Sequence, residues 1–168
     1  MAERVAAPVI AYVSIGSIVE PAKNVRLALD QLRRRFGPLV ASGVYRNHAE
    51  GFSGEDFLNL VVGFATQEAP AAIVDELERL HVVAGRVRGP DRFAPRTLDL
   101  DLLLYGDAVI PELQVPRRDI TEYSFVLGPL AEIAPDLRHP VTGETMATLW
   151  ARFDQARHPL ERLPLAPG

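Results

Sequence analysis

Two aspartates separated by one residue are the part of this sequence best suited to chemistry. Asp99 and Asp101 lie in a segment whose alternate positions are leucines, namely Leu98, Leu100, Leu102 and Leu104. Alternate side chains of a strand share a face, so the leucines are predicted to enter a core while both aspartates point the other way. The carboxylates would then stand roughly 7 Å apart, which suits two hard cations about 4 Å apart that also bind phosphate oxygens.

A solvent-facing strand with an acidic side is the alternative, and alternation alone favours it. The loop before the strand changes that balance, because it holds four arginines at positions 86, 88, 92 and 96. Like charges this close repel one another, so they need a polyanion or the carboxylates nearby. The two segments together predict a magnesium nucleotide site, with aspartates on the metals and guanidinium groups on the phosphates. The sequence has no Gly-x-x-x-x-Gly-Lys-Ser/Thr motif, so this would not be a P-loop enzyme.

Composition narrows the class of protein. The 168 residues are enough for one ordinary domain with its own core. The absence of cysteine excludes thiol nucleophiles and disulfides, and the net charge of -4 argues against a general nucleic-acid binder. No apolar run approaches the roughly 20 residues of a membrane span, and the first residues lack a signal-peptide pattern. We therefore expect a soluble cytoplasmic protein that binds neither nucleic acid nor membrane.

The elements that would position the charged residues follow from periodicity and from glycine and proline. The predicted elements are a strand over 9–15, a helix over 21–36, strands over 39–45 and 57–66, a helix over 69–83 and a strand over 97–105. Residues 46–56 and 85–96 are predicted to be loops that bind ligand. This order is typical of an α+β fold with a ferredoxin-like split βαβ core, in which two helices cover one face of a mainly antiparallel sheet. A short segment over 109–115, a helix over 125–134 and a stretch over 146–153 would add C-terminal helices in a further layer.

Four separated segments resemble the 6-hydroxymethyl-7,8-dihydropterin pyrophosphokinases of folate biosynthesis. They are Gly-Arg-Val-Arg at 85–88, Phe-Ala-Pro-Arg-Thr-Leu-Asp-Leu-Asp at 93–101, Asp-Phe-Leu-Asn at 56–59, and Phe-Val-Leu-Gly-Pro-Leu-Ala-Glu-Ile-Ala-Pro at 125–135. The resemblance extends from about residue 9 to residue 139, within one domain predicted to span residues 1–168. It implies the same ferredoxin-like fold.

The resemblance also implies the roles of individual residues. Asp99 and Asp101 would bind two Mg²⁺ ions that bridge the phosphates of ATP, and Arg86 and Arg96 would act with them in catalysis. The expected nucleotide contacts are Arg86, Arg88, Phe93, Arg96, Leu102 and Arg117. The pterin ring would stack between Phe57 and Phe125, and its polar edge would be read by Asn59 and by groups at Asn47, His48 and Glu50. From the residues alone, Phe57 and Phe125 are better explained as core side chains, whereas Asn59 in an apolar strand needs a buried partner.

The implied reaction is an in-line attack of the pterin hydroxymethyl oxygen on the β-phosphorus of ATP, with release of AMP. Three positions depart from the family pattern: Ile18 replaces an asparagine, His81 replaces a glutamate, and Arg117 stands where a histidine is usual. We expect His48 and His81 to be surface or capping histidines. Two alternatives stay open, namely a transferase for another heterocyclic alcohol and a pterin or nucleotide binding protein that has lost turnover. A monomer is expected.

Overall fold

The computed structural model describes residues 7–18, 21–48, 56–84 and 98–164. Its strands are β1 (Val9–Ser17), β2 (Val40–Ala41), β3 (Tyr45–His48), β4 (Asp56–Thr66), β5 (Asp99–Tyr105) and β6 (Glu161–Arg162). Its α-helices are α1 (Pro21–Phe36), α2 (Pro70–Val83), α3 (Asp119–Glu122), α4 (Ser124–Ile133) and α5 (Met146–Arg152), with a 3-10 turn at Pro111–Leu113.

Helix α1 illustrates how local sequence determines an element. Proline suits its first position, where no backbone N–H is needed. Its buried apolar residues follow helical spacing and face the sheet as one stripe, namely Val25, Ala28, Leu29 and Leu32. The helix ends at Phe36 because Gly37 adopts a positive φ of 86°, which glycine reaches without steric cost.

The strands form one antiparallel sheet in the order β5-β1-β4-β3-β6, and β2 pairs with β4 beside β3. Strand β1 lies between β5 and β4. Helix α1 connects β1 to the β2–β3 region and α2 connects β4 to β5, which is the split βαβ arrangement. The predicted α+β fold is confirmed.

Two cores lie on the two faces of the sheet. The first face packs against α1 and α2 through Val13 and Ile15 of β1 and their neighbours. The second face packs through Val61 and Leu103 against α3, α4 and α5. Because side chains alternate, Phe57, Asn59 and Asp99 also belong to the second face, toward the end of β1 that leads into α1.

Two details of the predicted strands are wrong. The segment predicted as one strand over 39–45 is split into β2 and β3, because the Ser42 Oγ accepts the Val61 N–H at 3.0 Å and takes the place of a backbone acceptor. In β5 the register with β1 shifts between Tyr12 and Val13. Leu104 consequently joins Leu103 in the second core, not the first core with Leu102.

The sequence prediction also missed two short elements, α3 and β6. Among the described residues, no helix combines the length and the apolar character needed to cross a bilayer.

Candidate active site

Strand β5 presents Asp99 and Asp101 on the second face of the sheet. They pair with Gly16 and Ser14 of β1, and the Leu100 side chain between them is buried in the first core. Both aspartates are partly exposed, and 24% of the Asp101 side chain is accessible. The strand therefore offers two carboxylates, two residues apart, to the same side and within reach of solvent.

These two carboxylates fit a divalent cation by the chemistry of their donors. Mg²⁺ prefers oxygen ligands and is usually held by one or two carboxylates plus waters and substrate phosphates. Among the described residues no group of three or more His, Cys, Asp or Glu side chains could hold a metal ion. The aspartate pair suits a cation whose remaining ligands come with a phosphorylated substrate.

Arg117 lies against Asp101. Its Nη2 is 3.5 Å from the Asp101 carboxylate, and its Nε is 3.3 Å from the carboxylate of Asp119. The Arg117 backbone N–H donates to the carbonyl of Leu103 at 3.0 Å, which fixes this segment beside β5. A guanidinium group is thus held at the edge of the aspartate pair, where it can contact an anion.

A cavity of about 280 Å³ opens beside this arginine. Its walls come from α2, β5 and the 3-10 turn, and they include Glu78, Asp101, Leu102, Gln114 and Arg117. Leu102 and Arg117, both predicted to contact nucleotide, are therefore brought together in one cavity.

Two phenylalanines face one another across the second face of the sheet. The rings of Phe57 in β4 and Phe125 in α4 are inclined by 7°, with centroids 6.5 Å apart. Both side chains are partly exposed, and Phe125 packs against the second core, so neither is a fully buried core residue. Tyr123 stacks on Phe125 at a centroid distance of 5.0 Å and was not predicted from sequence.

Asn59 and Asn47 lie next to this aromatic pair. The Asn59 side chain is 6% exposed, and its Nδ2 donates to the Oδ1 of Asn47. This bond supplies the partner that a buried amide requires. Asn47 is directly opposite Phe57 in the sheet, so the two amides border the aromatic pair.

Gly16 connects the amides to the aspartates. It is paired with Asn59 on one side and with Asp99 on the other, so the Cα atoms of Asn59 and Asp99 are two strand spacings, or about 10 Å, apart. A Cβ at residue 16 would come within 2.9 Å of the Asn59 Oδ1. Glycine therefore leaves space on the sheet between the amide and the first aspartate.

Glu132 ties the helix that carries Phe125 to the sheet. Its carboxylate accepts the Tyr45 hydroxyl at 2.5 Å and the Gly43 N–H at 3.0 Å, and Arg162 donates to it at 3.2 Å. Burial and the bond to Glu132 raise the pKa of Tyr45 to about 12. Glu132 belongs to the 125–135 motif, but its partners could not be predicted from sequence, because Tyr45, Gly43 and Arg162 lie 87, 89 and 30 residues away.

His81 differs from its prediction as a surface or capping residue. It is 3% exposed, and its Nε2 accepts the backbone N–H of Leu100 at 2.8 Å. Its position in the last turn of α2 places it beside β5, which a single sequence cannot reveal.

Several predicted site residues lie outside the described residues: Glu50, Arg86, Arg88, Phe93 and Arg96. For His48 the structure describes only the backbone, as the last residue of β3. The structure brings the other predicted residues into two neighbouring groups. One holds Asn47, Phe57, Asn59 and Phe125, and the other holds Asp99, Asp101, Leu102 and Arg117.

Comparisons with known proteins point to one family. A family model described as 7,8-dihydro-6-hydroxymethylpterin-pyrophosphokinase (HPPK) matches residues 12–135. A 2-amino-4-hydroxy-6-hydroxymethyldihydropteridine pyrophosphokinase from Pseudomonas aeruginosa is 38% identical over 135 residues, which cover 77% of this chain and 83% of the relative. A protein of the same name from Methylorubrum extorquens is 36% identical over 86% of this chain and 93% of its own.

Solved structures agree on the fold. A crystal structure of wild-type HPPK-DHPS from Plasmodium falciparum aligns with a TM-score of 0.69 over 87% of this chain, at 12% identity. This chain spans 45% of that longer one.

Proposed function

The chain belongs to the 7,8-dihydro-6-hydroxymethylpterin-pyrophosphokinase family, and we propose that it binds pterin at Phe57 and Phe125 and catalytic metal at Asp99 and Asp101. Its function is the ATP-dependent pyrophosphorylation of hydroxymethyldihydropterin in folate synthesis. The family resemblance predicted from the sequence motifs is thereby confirmed. One observation carries the proposed sites: Asn59, Gly16 and Asp99 are neighbours on one face of the sheet, so the aspartate pair lies next to the amide that borders the aromatic pair.

The pterin would lie between the two phenylalanine rings. Aromatic carbons in contact are about 3.5 Å apart, so a flat ring with a phenyl group on each side needs about 7 Å. The centroid distance of 6.5 Å between Phe57 and Phe125 is an upper limit on their present gap, so the rings would move apart by about 0.5 Å or more to admit the pterin. The amides of Asn47 and Asn59 border the aromatic pair, where they can exchange hydrogen bonds with the polar edge of a pterin.

The metal would be held by Asp99 and Asp101. When bound with ATP, Mg²⁺ supplies neutralisation of phosphate charge and orientation of the phosphate chain. The two carboxylates are directed to the same side by strand alternation, and the pairing with Gly16 and Ser14 of β1 holds their strand in place. The number of ions, predicted as two, stays a prediction.

The nucleotide would enter from the side of Arg117. The cavity of about 280 Å³ adjoins Asp101 and is lined by Leu102 and Arg117. A guanidinium group in this position can bind a phosphate or the face of a base. Four other residues predicted to contact nucleotide lie outside the described residues, namely Arg86, Arg88, Phe93 and Arg96. Their nucleotide contacts stay predictions. The catalytic role of Arg86 and Arg96 also stays a prediction.

The reaction then needs mainly positioning. The hydroxymethyl oxygen forms a bond to the β-phosphorus of ATP, the bond from that phosphorus to the α–β bridging oxygen breaks, and AMP leaves. The hydroxyl proton passes to solvent. Phe57, Phe125 and Asn59 would orient the alcohol, while Arg117 would stabilise negative charge on the nucleotide.

A test of the site assignment measures AMP formation from ATP and hydroxymethyldihydropterin at varied Mg²⁺. We expect Asp99→Asn and Asp101→Asn each to lower kcat at least about 100-fold, because each removes an anionic metal ligand. Asp107→Asn is the control, since Asp107 is an exposed residue of the turn that follows β5.

Three results would contradict the proposal. Full activity of both aspartate variants would remove the metal assignment. Release of ADP in place of AMP, or turnover only with a different heterocyclic alcohol, would show a different transferase. A protein that binds pterin without any AMP release would be the inactive binding protein left open by the sequence. The monomeric state, the cytoplasmic location and the single domain over residues 1–168 stay predictions.

A further inference from the structure

Strand β5 lies at the border of the sheet in the part of the chain that the structure describes. One of its edges pairs with β1, while the other faces α2. In a strand, successive N–H groups point to opposite edges. The Leu100 N–H points away from β1 and toward α2. An edge N–H of this kind needs another acceptor.

His81 provides that acceptor. Its Nε2 lies 2.8 Å from the Leu100 nitrogen, and the histidine is 3% exposed. A nitrogen that accepts an N–H bond carries no proton, so the neutral ring has its proton on Nδ1. Nδ1 faces the Glu78 carboxylate at 3.3 Å, one turn earlier in α2. This Nδ1 contact lacks hydrogen-bond geometry, so the bond at Nε2 determines the orientation of the ring.

Leu100 is the residue between the two aspartates. Its side chain is buried in the first core, and its backbone pairs with Ile15 of β1. The histidine bond adds an attachment at the opposite edge of the strand. Any shift of the Leu100 peptide moves Asp99 and Asp101 together, because both are covalently bonded to it.

We propose that His81 is a positioning residue that sets the spacing and direction of the Asp99 and Asp101 carboxylates by holding the Leu100 N–H. This inference rests on the proposed metal site. The ring is buried under β5 and does not reach solvent, so it acts through the strand and not on the substrate. Residues that orient metal ligands commonly change metal affinity about 10- to 100-fold when mutated.

The experiment compares three substitutions at residue 81. His81→Gln keeps an acceptor oxygen at the distance of Nε2, whereas the acceptor of His81→Asn stops at the distance of Nδ1. His81→Leu fills the space with no acceptor. Ile73→Val is the packing control, because Ile73 is also buried on α2 and the change removes one methylene without touching the histidine bond.

Each protein is assayed for kcat and for the Mg²⁺ concentration at half-maximal rate, at saturating ATP and pterin. We expect His81→Leu and His81→Asn to raise that concentration about 10-fold. His81→Gln should bring it back to within about 3-fold of the original protein, and Ile73→Val should leave it unchanged. Amide hydrogen exchange of Leu100, measured without substrates, should accelerate in the leucine and asparagine variants only.

The results separate this inference from the function on which it rests. If Asp99→Asn and Asp101→Asn abolish turnover while His81→Asn keeps the original Mg²⁺ dependence, the positioning role is overturned and the metal site stands. If His81→Gln is as impaired as His81→Leu, the bond to Leu100 is not the cause and the inference also fails. If the aspartate variants stay active, the metal site itself is wrong. Leu100 exchange then still reports whether the histidine bond exists.

Discussion

The rings of Phe57 and Phe125 are nearly parallel, at 7°, with centroids 6.5 Å apart. One ring belongs to a strand and the other to a helix, so their separation depends on how α4 packs on β4. Val61 of β4 and Leu127 of α4 share the second core, and Glu132 of α4 accepts the Tyr45 hydroxyl of β3. The spacing is therefore built into the packing of the sheet and the helix.

Replacement of one ring should weaken pterin binding selectively. We expect Phe125→Ala to raise the KM for the pterin about 5- to 150-fold, since aromatic stacking on a heterocyclic base contributes about 1–3 kcal/mol. Phe153→Ala is the control, because Phe153 stacks on Trp150 in a separate aromatic group. The KM for ATP should stay near its original value in both variants. Equal losses for pterin and ATP would contradict a role confined to the pterin.

Gly16 should be intolerant of a side chain, for a reason that a double-mutant cycle can isolate. A Cβ at this residue would come within 2.9 Å of the Asn59 Oδ1, so Gly16→Ala should destabilise the protein by about 1–3 kcal/mol. Asn59→Ala removes the atom that clashes. In the double variant the cost of Gly16→Ala should therefore become much smaller.

Urea unfolding of the original protein, the two single variants and the double variant measures the coupling free energy between residues 16 and 59. The KM of Gly16→Ala for the pterin should also rise, because the alanine methyl group displaces the Asn59 amide. Strictly additive free energies would mean that the alanine methyl group is accommodated without contact to Asn59.

The local parts of this fold could be predicted from sequence because they depend on neighbouring residues. The stripe of Val25, Leu29 and Leu32 predicts α1, and alternation places Asp99 and Asp101 opposite the buried Leu100. The order of the elements predicts the split βαβ sheet. For the aromatic pair, only the family resemblance predicted that two phenylalanines 68 positions apart in the chain (125 − 57) would face one another.

Interactions between distant segments could not be predicted from a single sequence. The Ser42 hydroxyl breaks a strand because it meets the Val61 N–H. The register shift opposite Tyr12 moves Leu104 to the other core, although the leucine pattern itself continues without interruption. His81 has a partner in Leu100 only because α2 ends beside β5. In each case the deciding contact joins residues whose separation in space is unknown until the sheet is assembled.

Two adjacent arginines allow a matched test of the nucleotide side of the site. Arg117 lies 3.5 Å from Asp101 and lines the cavity, whereas Arg118 is 87% exposed and pairs with Glu122 at 2.9 Å. We expect Arg117→Gln to raise the KM for ATP about 10-fold or more, since hydrogen bonds to charged groups contribute about 1.5–3 kcal/mol. Arg118→Gln should leave it near its original value. Similar effects of both changes would indicate a general influence of surface charge.

The stability of the protein should fall in mild acid because of His139. Its Nδ1 accepts the N–H groups of Val141 and Thr142 at 3.1 and 3.3 Å, and burial lowers its pKa. An unfolded histidine has a pKa of about 6.5, so the unfolded chain takes up the proton first as the pH falls. The contribution of neutral His139 is thus complete above about pH 6.5 and is lost as the pH falls toward the lower folded value.

The matched variant for this prediction is His139→Asn. The asparagine Oδ1 lies near the position of Nδ1, so it can accept the same two N–H groups, but it does not titrate. Urea unfolding of both proteins from pH 8 to pH 5.5 should give free energies that run in parallel above about pH 7. Below that pH the original protein should lose stability relative to the variant. The other histidines are common to both proteins, so their titration cancels in the difference. A difference that does not change with pH, or one in which the original protein becomes relatively more stable in acid, would contradict the buried neutral state of His139.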